Sequence, residues 1–209
     1  MLDAVRVEYL DADLARHRSD EVVLHLFAGP RAEFESHEVS NVLDATYAKG
    51  GWWKRWQPRQ LVGNGRALRA DFRTLPFPDQ TFDAAAYDPP YCPPGGRATS
   101  TIKKFHARYG MTDMPKNPAQ TQTLINDGLD EVHRVVRRHG IVLAKCKSYI
   151  TSGKYQHQEF ETTRYALDKL GFEMEGRLLV AQRAPGPQSQ KTQKHFRNNF
   201  STLLILRRK

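Results

Sequence analysis

Apolar residues recur along this chain in two spacings. Short runs at Val42-Leu43, Leu61-Val62, Leu68 to Phe72, Phe82 to Tyr87, Ile141 to Ile150, Phe172 to Gln182 and Ser201 to Leu206 have the length and composition of strands. Other stretches have helical spacing. Leu124, Ile125, Leu129, Val132, Val135 and Val136 fall on one face of a helix over Thr121 to Gly140. Asp127, Asp130 and Glu131 lie early in it and Arg137, Arg138 and His139 late, as the helix dipole favours. A helix over Gln158 to Leu170 closes at Gly171, and another begins at Trp52. Strands alternating with helices predict an α/β fold, a doubly wound and mostly parallel sheet with helices on both faces. Before Asn41 the pattern is weaker: Val5, Val7 and Tyr9 alternate like a strand, Ala12 to His17 suits one or two helical turns, and Val22 to Phe27 is apolar. Residues 1 to 40 read as an N-terminal extension of one domain over 1–209, since 209 residues fill one domain and are short for two.

Polar residues gather where the strands end. The run Thr81 to Tyr91, TFDAAAYDPPY, is a small apolar strand stopped by two prolines, which lack donors and push Asp88 out of helical geometry. Asp88 therefore stands at the carboxyl end of a strand, where open α/β sheets place ligands. Its carboxylate accepts hydrogens from an amine, the proline carbonyls accept more, and Tyr91 offers a flat face to a planar base. At the Val42-Leu43 tip come Asp44 and Thr46, then Gly50-Gly51, a turn that lets backbone approach a ligand. Asn64 lies at the Leu61-Val62 tip and Asp71 in the Leu68 to Phe72 run. Trp52, Trp53 and Trp56 at helical spacing are expected to pack as core, at least two of them.

Charge narrows the partner. Lys and Arg total 32 against 23 Asp and Glu, a net charge of +9, which suits a polyanion such as nucleic acid. Residues 92–117 are rich in Pro, Gly, Ser and Thr and carry Arg97, Lys103, Lys104 and Arg108 interleaved with Phe105 and Tyr109. Cations for phosphates and rings for bases suit a nucleic-acid contact, the alternative being a solvated surface loop. Residues 183–200, with Lys194 and Arg197, form a second basic surface, and no acid follows Gly176. Ser148 to Lys154 reads as a polar loop. Cys92 and Cys146 form neither a disulfide framework nor a metal set, and Cys146 is expected to be a packed side chain. No metal site is expected. The absence of a signal-like segment or a long apolar run leads to the expectation of a cytoplasmic protein with no membrane contact; a homodimer is left open.

Together DPPY, the preceding LPFPDQTFD, the following GGRATSTI and the late HFRNNFSTLLILR resemble the S-adenosylmethionine-dependent amino-methyltransferases of adenine N6 or cytosine N4. Within that group the chain is most similar to small stand-alone, often phage-borne DNA methylases. The resemblance runs from about Asn41 to the C-terminus. It implies a Rossmann-like class I methyltransferase sheet of seven strands, six parallel and the last antiparallel, with helices on both faces and Ser201 to Leu206 one of the last two. It makes Asp88, Pro89, Pro90 and Tyr91 the catalytic tetrad and Asp44, Thr46 and Gly50 the cofactor loop. Asp71 becomes the carboxylate that receives the adenine amine of S-adenosylmethionine. Ala48 replaces a loop glycine, and Asn64 stands where an acid commonly grips the cofactor ribose, though its amide can bond a hydroxyl.

The implied activity is methyl transfer to an exocyclic amine in DNA, adenine N6 first. Methylation of RNA, methylation of cytosine N4, and a nucleic-acid-binding relative with weak or lost catalysis are the alternatives. His25 to Gly29, HLFAG, is also similar to the cofactor loop of cytosine-C5 methyltransferases, but the acid, the Gly-rich continuation and the Pro-Cys-Gln nucleophile of that family are absent.

Overall fold

The computed structural model describes residues 39–47, 50–53, 57–64, 68, 70–91, 113, 115–181 and 200–209. Its main sheet is built from β1 (Asn41–Asp44), β2 (Gln60–Gly63), β3 (Phe82–Tyr87), β4 (Val136–Cys146), β7 (Glu173–Ala181) and β8 (Phe200–Arg207), in the order β2-β1-β3-β4-β8-β7. The strands β2, β1, β3 and β4 are mutually parallel, while β8 runs antiparallel to both β4 and β7. A small antiparallel hairpin, β5 (Tyr149–Thr151) and β6 (Lys154–Gln156), stands apart from that sheet.

Helix α1 (Pro118–Val135) covers one face. It starts where Asn117 accepts the Gln120 amide at 2.9 Å and Pro118 supplies a preset first turn. Its apolar stripe, Leu124, Ile125, Leu129, Val132 and Val135, packs with Leu43, Ala85, Tyr87 and Val142 from the sheet. Gly128 lets the helix approach closely, since a Cβ there would lie 2.2 Å from the Tyr87 hydroxyl and 2.6 Å from the Phe72 ring. The Tyr87 hydroxyl then donates to the Ile125 carbonyl at 3.0 Å. Alternation along β3 sends Ala85 and Tyr87 to this face and Ala84 and Ala86 to the other, where they meet Val42, Leu143, Leu203, Trp52 and Trp53. Trp52 and Trp53 are thus core residues; Trp56 lies outside the described residues.

Four expectations need correction. The helix ends at Val135, not Gly140: Val136 is extended, and exposed Arg137, Arg138 and His139 bulge at the start of β4. Positive φ (63°) at His139 turns the chain there, and its amide donates to the Arg208 carbonyl. No strand forms at 70–72, because the Asn64 side chain takes both the N–H and the carbonyl of Ala70, the groups a ladder would use. Among the described residues the main sheet has six strands. A 3-10 turn over Gly51–Trp53 stands where a helix was expected to begin. Ser148 to Lys154 is not a loop but most of the β5–β6 hairpin, closed by Ser152 and Gly153 with φ of 49° and 73°. Helix α2 (Gln158–Arg164) continues as a π turn over Tyr165–Lys169 and closes at Gly171, with φ of 70°.

Candidate active site

The parallel strands bring the expected residues to one edge. Asp44 pairs in register with Ala86, so the β1 tip lies beside the β3 tip, and Tyr87 pairs with Ala144, so Asp88 comes beside Lys145. The Asp88 amide donates to Thr46 Oγ1 at 2.7 Å, and the Ala45 amide to the Ala86 carbonyl at 3.0 Å. The β1 and β3 tips are thereby joined. The Lys145 ammonium reaches Asp88 Oδ2 at 3.2 Å and lies 5.9 Å from the centre of the Trp52 ring.

Asp44 is almost fully buried, at 3% exposure. Trp53 Nε1 donates to it at 2.6 Å and the Thr46 amide at 3.0 Å. Burial nonetheless pushes its pKa from 3.8 up to about 7, with the nearby Asp88 charge adding to the rise and those hydrogen bonds opposing it. Thr46 thus contacts both acids, through its amide to Asp44 and its hydroxyl to Asp88.

The loop after β1 turns at Gly50, with φ of 66°. Tyr47 lies over it: a Cβ on Gly50 would come within 2.6 Å of the Tyr47 hydroxyl, and one on Gly63 within 2.6 Å of its ring. Gly50 in the loop after β1 and Gly63 at the end of β2 thus make a bed on which the Tyr47 ring rests. Asn64 is turned inward, its amide donating to the Ala45 and Ala70 carbonyls at 3.0 and 2.9 Å. It braces the loop with both of its donated hydrogens, which removes the amide from the role of a donor to a ligand hydroxyl.

Asp71 sits with Arg73, which reaches both its oxygens and bonds Asp113 at 2.8 Å. These two carboxylates hold the Arg73 pKa above its ordinary value, the hydrogen bonds it donates to Asp71 first. Arg73 and Asp113 line a cavity of about 330 Å3 together with Lys116, Gln120, Thr123 and Asp127. In the tetrad, Pro89 is buried, Pro90 is half-buried, and Tyr91 packs half-buried against the core under α1. The Tyr91 carbonyl accepts from Gln158 Nε2 at 2.8 Å.

Arg97, Lys103, Lys104, Arg108, Lys194 and Arg197 lie outside the described residues, as do Ala48 and Cys92. Cys146 is fully buried, and burial pushes its thiol pKa up, in keeping with a packed side chain. Among the described residues no group of three or more His, Cys, Asp or Glu side chains could hold a metal ion, and no described helix is long and apolar enough to cross a membrane.

Lys145, Trp53, Gln158 and Arg73 are members of this edge that sequence reasoning did not assign to it. Lys145 carried a signal, a cation directly after the apolar run of β4, at the same tip as Asp88 one strand away. Trp53 carried none, because its indole both fills the core and donates to Asp44.

No protein-family model matches the sequence, and no curated protein sequence matches it. Solved structures do match in shape. A geranyl diphosphate methyltransferase in complex with S-adenosylmethionine superposes with a TM-score of 0.52 at 12% identity, over 97% of this chain and 93% of that one. The N-methyltransferase NodS from Bradyrhizobium japonicum gives 0.50 at 13% identity, over 95% of this chain and 99% of that one. The PvuII DNA methyltransferase, specific for cytosine N4, gives 0.46 at 12% identity over 66% of this chain, which spans only 47% of that enzyme's length. The first two matches and the strand order agree on the architecture: a mixed sheet with the Rossmann-like fold of S-adenosylmethionine-dependent methyltransferases.

Proposed function

We propose that this protein binds S-adenosylmethionine along the tips of β1, β2 and β3 and methylates the exocyclic amine of a base in DNA, adenine N6 first. The observation that carries the reading is the position of Asp88. It is a half-buried carboxylate at the end of a central parallel strand, braced by Thr46, faced by Lys145 and followed by two prolines.

The residues present fit the cofactor at three places. Gly50 turns the loop after β1 at positive φ, and with Gly63 it seats the Tyr47 ring that packs against the loop where the cofactor is expected to lie. Asp71 offers carboxylate oxygens for an amine, each with more than one acceptor site. Asp44 and Thr46, both buried, hold the β1 tip in place beside the reacting edge. When bound, S-adenosylmethionine would supply a methyl group from its sulfonium and leave as the neutral thioether, and the methylated amine would release one proton to solvent.

The chain's own part is positional. One amine hydrogen is accepted by Asp88 and the other by the Pro89 carbonyl, which draws the nitrogen lone pair out of the plane of the base. Tyr91 supplies a face against a base withdrawn from its helix. Lys145 keeps a positive charge against Asp88 Oδ2, so the carboxylate enters the reaction already oriented. The basic stretches 92–117 and 183–200 track phosphates, DNA ahead of RNA.

The test is transfer of labelled methyl from S-adenosylmethionine to DNA, to RNA and to neither, with hydrolysis and chromatography of the labelled base. Label in N6-methyladenine of DNA is expected. Label in RNA alone, or in N4-methylcytosine, replaces the acceptor and keeps the chemistry. No label in any polymer, alongside tight nucleic-acid binding, favours the reading of a binding protein without transfer. Asp71→Ala is expected to weaken cofactor binding about tenfold by calorimetry, the loss of one charge-assisted hydrogen bond.

A further inference from the structure

The β5–β6 hairpin lies outside every segment assigned so far to the substrate, yet both its ends are attached to the tetrad. At the end of β4, just before the hairpin, Lys145 contacts Asp88 at 3.2 Å. Just after the hairpin, Gln158 donates to the Tyr91 carbonyl at 2.8 Å. Gln158 is itself buried, and the Lys147 amide donates to its Oε1 at 3.5 Å. Ser148 and Tyr149 at the base are buried, and Ser148 Oγ accepts the Glu159 amide at 3.3 Å. The hairpin is therefore a rigid projection whose feet stand on the first and last residues of DPPY.

Its tip has the opposite character. Ser152 and Gly153, both at positive φ, make a tight two-residue turn whose twist matches the strands. Lys154, Tyr155 and His157 are exposed. Tyr155 keeps 47% of its surface open and meets the His157 ring edge-on at 4.8 Å. Phe160, on the first turn of α2, is 62% exposed. From Val132 through Gln158 the sequence holds no acid, while Lys145, Lys147 and Lys154 fall on the hairpin and its feet. The next acid, Glu159, is paired with Arg177 at 3.2 Å. Open rings beside cations on a stretch without acids suit a phosphate backbone and unstacked bases.

We propose that the β5–β6 hairpin is a nucleic-acid contact of the candidate active site, with Tyr155 stacking on a base beside the target and Lys154 meeting a phosphate. The assignment rests on the reading of Asp88 to Tyr91 as the place where a base is received. It adds a recognition element whose register with the reacting edge is fixed by Lys145 and Gln158.

The experiment uses the full chain and a fluorescently labelled DNA duplex, its single strand and the RNA of the same sequence. Tyr155→Ala is expected to raise Kd about tenfold on the bound polymer, and Tyr155→Phe to stay near the parent, because stacking needs the ring and not the hydroxyl. Lys154→Ala is expected to reduce the salt slope by about one phosphate. Both side chains are exposed, so unchanged thermal unfolding of each variant is the control. Binding by Tyr155→Ala and Lys154→Ala equal to the parent overturns the proposal, as does a parent that binds none of the three polymers.

Methyl transfer is measured on the same samples. A parent that binds but transfers nothing, with weakened hairpin variants, overturns the enzymatic reading and leaves the contact standing. A parent that transfers, with hairpin variants unchanged in Kd and KM, overturns the contact alone.

Discussion

Asp44 and Asp88 end neighbouring parallel strands and share Thr46, yet the protein treats the two carboxyl groups in opposite ways. Asp44 is sealed from solvent, meets an indole N–H and an amide, and burial lifts its pKa to about 7. Asp88 keeps 28% of its side chain open and faces an ammonium. Burial without a cation favours a neutral acid, a hydrogen-bonded pin between β1 and the turn at Trp53. Partial exposure with a cation leaves a carboxylate able to accept from something arriving. The pair teaches that a strand-tip acid is not by itself a catalytic acid: what stands opposite it decides.

The largest break in that contrast comes at Asp88. Asp88→Ala removes the acceptor for the amine, and transfer is expected to fall by about a thousandfold or more, while cofactor affinity measured by calorimetry holds. A variant that still transfers within tenfold of the parent would transfer the decisive role to another residue. Next is Lys145→Met, which keeps a stem of similar reach over Trp52 and removes the charge. A fall in kcat of about 10- to 100-fold is expected, with cofactor affinity unchanged and partial recovery in Lys145→Arg. Equal rates in the Met and Arg variants would make Lys145 a space-filler and not a positioning charge.

A smaller effect belongs to the pin. Trp53→Phe keeps a ring in the core but removes the donor to Asp44 and some buried volume, and unfolding stability is expected to drop by about 1–3 kcal/mol in denaturant titration. No change in midpoint would mean that a water or a neighbouring group satisfies the carboxyl as well as the indole does.

Much of this edge was legible because it depends on short patterns. The run FDAAAY stopped by two prolines locates the end of β3, and the acid after it cannot be elsewhere than at the tip. Likewise Val42-Leu43 before Asp44, and Gly50 after it, mark a strand followed by a turn. Contacts that depend on register were not legible. Lys145 meets Asp88 only because Tyr87 pairs with Ala144, and a shift of one residue would point it to the opposite face. Asn64 looked like a ligand for a hydroxyl because its competition for the Ala70 backbone is a tertiary fact. The end of α1 was misplaced because Val136, in phase with the helical stripe, is equally in place as the first residue of β4.

The last prediction separates the two acids by pH. A carboxyl raised from 3.8 to about 7 in the folded protein keeps its proton there while the unfolded chain has lost it. The folded state then binds more protons, so the contribution of Asp44 to stability is whole below about pH 4 and is lost progressively as pH rises through about 7. The slope is about 1.4 kcal/mol per pH unit across that window and flattens above it. Asp44→Asn cannot titrate but retains an oxygen to accept from Trp53 and Thr46. Between pH 5 and 8 its unfolding free energy is therefore expected to lose that descending component. Parent and variant curves that run parallel over this range would show that Asp44 titrates at an ordinary carboxylate pKa, and the contrast with Asp88 would then rest on exposure and Lys145 alone.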